Sequence, residues 1–374
     1  MTGTLDGIRV IELAGIGPGP FGGMLLADQG ADVITIDRPG GGNALDTSSR
    51  VLARGRRSIV LDLKESGDHA VALALIDSAD VVIDPFRPGV AERLGVGPEV
   101  CRDRNPRLIY ARMTGWGKDG PLAERAGHDI NYLAISGVLG LMGDPDTPPP
   151  VPLNLVADFG GGGMLLGYGV LAALFERERS GLGQIVDAAM LDGVVQLAAS
   201  LFQLHADGLW NAGRGTNFLQ GGTPWYRTYR TSDGEYVSVG ALEPQFYRVL
   251  LHGLGIDPDD HDQWDRDGWP ALTRIIADLF AARPLAHWVE LLADTDACFA
   301  PVLRFDQLAD HPHHRARETI ETHDGVTQPA PSPRFSRTPA RYRPPPARPG
   351  EHTDEILAEL GMTRSATSST DTQS

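Results

Sequence analysis

Lysine is nearly missing from this chain. Lys64 and Lys118 are its two lysines, and arginine carries the positive charge. Acids outnumber bases 49 to 33, which leaves a formal net charge of -16. So negative a chain excludes a broad nucleic-acid surface and leaves room only for local basic pockets. Cysteine is as scarce. Cys101 and Cys298 lie far apart, without partners at metal-ligand spacing. That excludes a disulfide framework and reads as two free thiols in a reducing cytoplasm. No uncharged apolar run reaches the about 18 residues of a membrane span, so no membrane insertion is expected. The N-terminal Met1-Thr2-Gly3-Thr4-Leu5-Asp6 lacks the basic flank and apolar core of a secretory leader. The C-terminal Asp371-Thr372-Gln373-Ser374 is no peroxisomal address. A cytoplasmic protein is expected.

What is present is an apolar pattern long enough for two domains, at 374 residues and 41% hydrophobic. Short apolar runs at Ile8–Leu13, Asp32–Asp37, Ser58–Leu63, Asp80–Asp84, Arg107–Met113 and Gln184–Asp187 read as strands. Helical patterns separate them, including Phe21–Gln29, His128–Gly143 and Asp158–Arg179. Strands spaced by such helices favour right-handed crossovers and a parallel sheet covered on both faces. The spacing predicts an α/β large domain over residues 1–190, doubly wound on a mostly parallel sheet. A linker helix follows over 191–220. A smaller α+β domain is expected over 221–325, opened by a hairpin around Ser232-Asp233-Gly234. Pro329 to Pro349 is rich in Pro and Arg and reads as extended. Thr353 to Leu360 reads as a short helix, and 362–374 as a disordered tail.

Gly17-Pro18-Gly19-Pro20-Phe21-Gly22 formally matches the dinucleotide fingerprint, with Asp37 at the end of the next strand. Pro18 and Pro20 lack the amide hydrogens such a loop aims at a pyrophosphate. A tight β-α turn that packs a helix on a sheet is therefore the first reading, ahead of a nicotinamide-dependent oxidoreductase. His311, His313 and His314 look like a metal tract, but no acid or thiol stands at ligand spacing. They read as surface histidines, and no metal is expected. Arg54, Arg56 and Arg57 read as a wet charged surface that could help hold phosphates.

The strongest chemistry lies in two strings. Gly127-His128-Asp129-Ile130-Asn131-Tyr132 puts an imidazole at the start of an apolar helical run. Asp158 stands before the four glycines 160–163, at the mouth of a second helix. A His and an Asp so placed suit a reaction that takes a proton from one face of a carbon acid and returns it on the other. Alone, the His reads as a cap or surface residue and the Asp as an N-cap.

Further strings in the same order add to these: Pro152-Leu153-Asn154-Leu155, Asp187-Ala188-Ala189-Met190 and Gly240-Ala241-Leu242-Glu243-Pro244-Gln245-Phe246-Tyr247. Together they resemble the α-methylacyl-CoA racemases of the class III CoA-transferase superfamily, from about Leu5 to about Thr338. The resemblance implies epimerisation of 2-methylacyl-CoA thioesters by 1,1-proton transfer, with no metal or redox cofactor, CoA being part of the substrate. It places the two bases at His128 and Asp158, and a supporting carboxylate at Glu243. It places CoA contacts at Arg38, at Leu61, Asp62, Leu63 and Lys64, at Arg87, and at Gly127, Asp129, Ile130, Asn131 and Tyr132. It also implies an interlocked homodimer, whose site lies between the large domain of one subunit and the small domain of the other. The segment 326–361 would then return to the large domain.

The chemistry is consistent with that resemblance. A thioester α-proton is a weak acid, and its enolate must be held by fixed dipoles, for which amides near Asp158-Phe159-Gly160 are candidates. A base works best with a pKa near the working pH, so Asp158 should be partly desolvated and raised. The rival within the superfamily is a CoA-transferase, with Asp158 as acyl-accepting nucleophile. His128 argues for the racemase, because a transferase needs no second base. A catalytically silent acyl-CoA-binding protein is the third reading, and the presence of both bases argues against it.

Overall fold

The computed structural model describes residues 3–41, 49–211, 213–323, 325–341 and 347–363. The tail expected over 362–374 therefore lies outside the described residues from 364 onward, as do 342–346 of the Pro-rich stretch. The chain opens β1 (Arg9–Leu13), α1 (Pro18–Asp28), β2 (Asp32–Asp37), α2 (Ser49–Leu52), β3 (Arg56–Val60) and α3 (Ser66–Asp77). Next come β4 (Val81–Asp84), α4 (Val90–Arg93), α5 (Pro98–Arg104), β5 (Ile109–Thr114) and α6 (Asp129–Ile135). A π-helical segment, Leu155–Met164, runs straight into α7 (Leu165–Ser180), followed by β6 (Ile185–Ala189), α8 (Met190–Leu197) and α9 (Ala199–Ala206). Then follow β7 (Tyr226–Arg230), β8 (Tyr236–Gly240), α10 (Pro244–Gly253), α11 (Trp269–Ala281), α12 (Leu285–Leu292), β9 (Phe299–Pro301) and α13 (Pro312–Arg317). The chain closes with β10 (Ile320–His323), β11 (Val326–Pro329) and α14 (Thr353–Glu359).

Two compact units result: Met1–Ser136 with Pro152–Ala198 and Glu318–Ser374, and Gly137–Val151 with Ala199–Arg317. In the first, six strands pair in the order β3-β2-β1-β4-β5-β6, every pair parallel. Strand order reverses between β1 and β4, the switch point at which doubly wound sheets leave a crevice beyond the strand ends. Ile11 and Leu13 of β1 face a core built with Leu75 and Ile76 of α3, Cys101 of α5, and Ile356 and Leu357 of α14. Each such fully buried aliphatic side chain contributes roughly 2 kcal/mol over leaving it in water. Strand alternation sends Glu12 to the opposite face, where Gly23 of α1 abuts its carboxylate. One face thus carries α3, α5 and α14, and the other α1.

Three elements differ from the sequence expectation, each for a local reason. β3 ends at Val60, paired with Asp37, the last residue of β2. The Leu61 amide still donates to the Asp37 carbonyl at 2.9 Å; β2 ends there, the chain leaves the sheet, and Leu61–Lys64 is loop and not strand. α6 stops at Ile135, because Gly137 takes φ 83°. Helix is also present three residues before Asp158, so that the N-cap is Asn154 and Asp158 sits inside the first turn.

Glycines 160–163 serve close packing. A Cβ on Gly161 would lie 2.9 Å from the Met190 carbonyl oxygen, and one on Gly193 would lie 1.9 Å from the Gly161 oxygen. Backbone therefore meets backbone where α8 crosses this helix. The continuous helix Leu155–Ser180 is also long and apolar enough to cross a membrane by length and composition alone. Its uncharged stretch, Phe159–Phe175, still falls short of the about 18 residues of a membrane span. Asp158 and Glu176 bound that stretch.

In the second unit β7, β8 and β9 form an antiparallel sheet. Its core is aromatic, with Trp225 and Phe280 fully buried beside Val237, Leu250 and Ile276. His311 and His314 stack edge to face at 5.6 Å. No group of metal-ligating side chains occurs among the described residues.

Candidate active site

Asp129, the first residue of α6, is 5% exposed. Its Oδ2 accepts hydrogen bonds from the backbone amides of Ala157, at 2.7 Å, and Asp158, at 2.8 Å. The carboxylate so ties the start of α6 to the first turn of the glycine-rich helix. It also takes the Asp158 amide, one of the donors considered above for an enolate. The Asp129 side chain is thus turned into the protein.

Asp158 is half-buried. Its Oδ2 accepts from Asn154 Nδ2 at 3.3 Å. The turn before α1 closes on the same oxygen: a Cβ built on Gly17 would stand 3.5 Å from it, at φ 71°. Pro18 and Pro20 present no amide there, and Pro18 starts the helix. The Gly17 loop therefore walls the Asp158 carboxylate, a role the fingerprint reading does not contain. Burial pushes the Asp158 carboxyl above its ordinary 3.8; the hydrogen bond from Asn154 and the neighbouring His128 oppose the rise, and the charge of Asp129 adds to it.

His128 is the N-cap of α6 with an exposed side chain. Its amide donates to Asn131 Oδ1 at 3.0 Å, which fixes the entry into the helix. Tyr132 is buried edge-on against Trp116, and its hydroxyl donates to the Gly127 carbonyl at 2.6 Å. Burial pushes that hydroxyl up to about 12; the Asp158 charge adds to this and Arg87 opposes it. Gly127, His128, Asp129, Asn131, Tyr132, Arg87 and Asp158 thus share one neighbourhood, with Ile130 exposed on the same turn.

Beyond the ends of β1, β2 and β4 opens a cavity of about 1580 Å³. Arg38, Leu61, Asp62, Leu63 and Lys64 all line it, together with Phe86 and with Gly15 and Ile16, which lead to Gly17. The cavity occupies the crevice at the switch point. Arg38 and Lys64 are exposed and make no ion pair among the described residues.

The neighbouring arginines do not form the wet surface expected of them. Arg54 is 2% exposed and grips Asp28 with two hydrogen bonds, at 2.9 and 2.6 Å. Arg56 pairs with Glu12 at 3.0 Å and donates to the Pro20 carbonyl. Arg57 bridges Asp32, Glu355 and Glu359. Sequence spacing could not show this, because the acids come from β1, α1, β2 and α14. Burial drives Glu12 up and Arg56 down, each held back by the other's charge.

Glu243 belongs to the second unit, where it is the exposed N-cap of α10 with Pro244 at the first helical position. Among functional features the sequence reading missed are the Asp129 bridge and Asn154. Both residues stand in strings that carry the resemblance, but only the fold brings Asp129 beneath Ala157 and Asn154 against the Asp158 carboxylate.

The sequence profile of CoA-transferase family III matches residues 5–353. The chain is 47% identical over 364 residues to the alpha-methylacyl-CoA racemase of Homo sapiens, covering 96% of this chain and 94% of that protein. It is 32% identical over 371 residues to the acetyl-CoA:oxalate CoA-transferase of Acetobacter aceti, covering 93% and 92%. A crystal structure of a CAIB/BAIF family protein from Brucella suis superposes with a TM-score of 0.83 at 28% identity, covering 96% and 100% of the two chains. Matched over nearly its whole length in both sequence and fold, the chain belongs to CoA-transferase family III.

Proposed function

We propose that this protein is a racemase of 2-methylacyl-CoA thioesters, with His128 and Asp158 as its two acid–base residues. The observation that carries the reading is a second base: His128 caps α6, and the next residue, Asp129, accepts the Asp158 amide at 2.8 Å, which ties the two candidates together. It is supported by the higher identity to a racemase than to a transferase. In the cycle one residue removes the α-proton and an enolate forms. The other, protonated, delivers a proton to the opposite face. A desolvated, raised carboxyl suits this exchange better than an ordinary one, since a general acid–base group works best with a pKa near the working pH. The positive end of the long helix that begins at Leu155 favours the developing enolate charge.

In this reading the CoA nucleotide lies in the cavity lined by Arg38 and Leu61–Lys64, and Arg87 and the Gly127–Tyr132 turn lie nearer the thioester. Glu243 supports His128 from a partner subunit in a homodimer. An apolar face on α7 and the residue before it is consistent with such a partner. Met164, Tyr168, Leu171 and Phe175 follow helical spacing at 53, 71, 47 and 70% exposure.

The test is proton NMR of a pure (S)-2-methylacyl-CoA with the enzyme in D2O. Loss of the α-proton signal with appearance of the R epimer is expected. His128→Ala and Asp158→Ala should each abolish epimerisation and leave CoA affinity nearly intact. Full activity in either variant sinks the assignment. No exchange in the wild type, with CoA transfer to an added carboxylate, would make the protein a transferase with Asp158 as nucleophile.

A further inference from the structure

The cavity has a wall that the resemblance does not assign. Ala347, Arg348, Pro349, Glu351 and His352, almost at the C-terminus, line it together with Arg38 and Lys64. This strap is pinned by Ser58 of β3. The Gly350 amide donates to Ser58 Oγ at 2.8 Å, and the His352 amide donates to the Ser58 carbonyl at 3.0 Å. The Ser58 amide in turn donates to His352 Nδ1 at 3.3 Å. Ser58 Oγ also donates to Asp37 Oδ2 at 2.6 Å. One serine thus holds the strap against the end of β2, where the chain turns out into Arg38. Just beyond, Ile356 and Leu357 are buried in the sheet's core and anchor the strap from its other side.

We propose that this C-terminal strap forms part of the CoA site, with Arg348 as a third phosphate-binding cation beside Arg38 and Lys64. The proposal rests on the reading of the cavity as a CoA site. Its argument is geometric. Arg54, Arg56 and Arg57 are all held in ion pairs. Among the described residues that line the cavity, Arg38, Lys64 and Arg348 are the cations without an ion-pair partner. Arg348 is exposed and enters the fold through its backbone amide, which donates to Glu351 at 2.7 Å. Its guanidinium is therefore available to a ligand. A CoA nucleotide presents a diphosphate and a ribose phosphate, and forked donors match both.

The experiment is calorimetric titration of the full-length protein with CoA and with dephospho-CoA, for the wild type, Arg348→Ala and Arg348→Lys. Because the side chain is exposed and uncommitted, both variants fold, and their thermal unfolding should coincide with the wild type. Arg348→Ala should weaken CoA binding about five-fold, the share of one solvent-facing charge contact. Arg348→Lys should recover part of it, since lysine keeps the charge and loses the fork. If dephospho-CoA weakens equally, Arg348 reads the diphosphate; if only CoA weakens, it reads the ribose phosphate. CoA bound by the wild type with unchanged affinity in a folded Arg348→Ala overturns the strap's role alone. A wild type that binds no CoA overturns the functional reading beneath it, and the proposal with it.

Discussion

Two groups of cations in the first unit have opposite fates. Arg54, Arg56 and Arg57 are drawn inward and matched to acids from four other elements. Arg38, Lys64 and Arg348 stand at the cavity unmatched. In sequence the first group looks the better phosphate site, with three arginines in four positions. The difference lies in the strand. Arg56, the first residue of β3, alternates to the face of Glu12 and α1, and Arg54, in the turn before the strand, reaches Asp28 at the end of α1. Arg38 and Lys64 come after strand ends, where no sheet remains to cover them. The buried group should thus govern stability and the open group ligand affinity.

The sharpest way to break that contrast is to remove one member of the buried pair. Arg56→Met leaves Glu12 buried and uncompensated, and should cost roughly 3–5 kcal/mol of unfolding free energy. Denaturant titration checks this. The double variant Glu12→Leu/Arg56→Met should regain most of the loss, because it leaves no orphaned charge. CoA affinity of the folded fraction should stay within about two-fold in both. A single variant of wild-type stability with ruined CoA binding would put Arg56 in the wrong group.

Arg38→Ala tests the open group and should have the reverse profile. CoA affinity should fall about ten-fold, while stability moves by less than about 0.5 kcal/mol, as for an exposed side chain without partners. Titration with CoA and thermal unfolding of the same preparation give both numbers.

This contrast also marks how far the sequence could be read. Apolar runs such as Val10-Ile11 and Val81-Val82-Ile83 announce parallel strands, because both faces must be covered, and the six-stranded sheet follows from them. His128 and Asp158 were legible as candidates because each precedes or opens a helical pattern. The Arg54–Arg57 cluster was not, since which acids meet it depends on strand register and helix packing. Asp129 was legible as a motif member but not as an inward-facing carboxylate. Its partners, Ala157 and Asp158, lie 28 and 29 positions away. The hairpin of β10 and β11 escaped for a simpler reason. Its strands are short and mostly polar, with no apolar alternation to announce them.

Asp129 belongs to neither group, and it sharpens the comparison by being structural and electrostatic at once. Asp129→Asn should keep one hydrogen-bond acceptor for the two amides while removing the charge. That charge raises the Asp158 carboxyl, so its removal lowers it. For the enantiomer deprotonated by Asp158, activity requires the ionised carboxylate. The acid limb of kcat/KM should therefore move to lower pH. With a less basic Asp158, kcat should fall about five-fold at neutral pH, while KM for the CoA ester is unchanged. A raised KM with unchanged kcat would instead return Asp129 to the CoA contacts implied by the resemblance.

The smallest effect expected is that of salt, and it separates the two groups without a mutation. At about 0.1 M salt the Debye length is about 10 Å, so the distant acids behind the net charge of -16 are already screened from a bound nucleotide. What remains is the attraction of the nearby open cations. Raising salt from about 0.1 to about 0.5 M should therefore weaken CoA binding several-fold. The ion pairs of Arg54 and Arg56 are sealed from solvent, with side-chain exposures of 2 and 5%. Mobile ions cannot enter them, so unfolding free energy should respond weakly over the same range. CoA affinity indifferent to salt would mean that apolar and hydrogen-bonding contacts hold the nucleotide. In that case Arg38 and Lys64 would be surface charges, as the Arg54–Arg57 cluster was first taken to be.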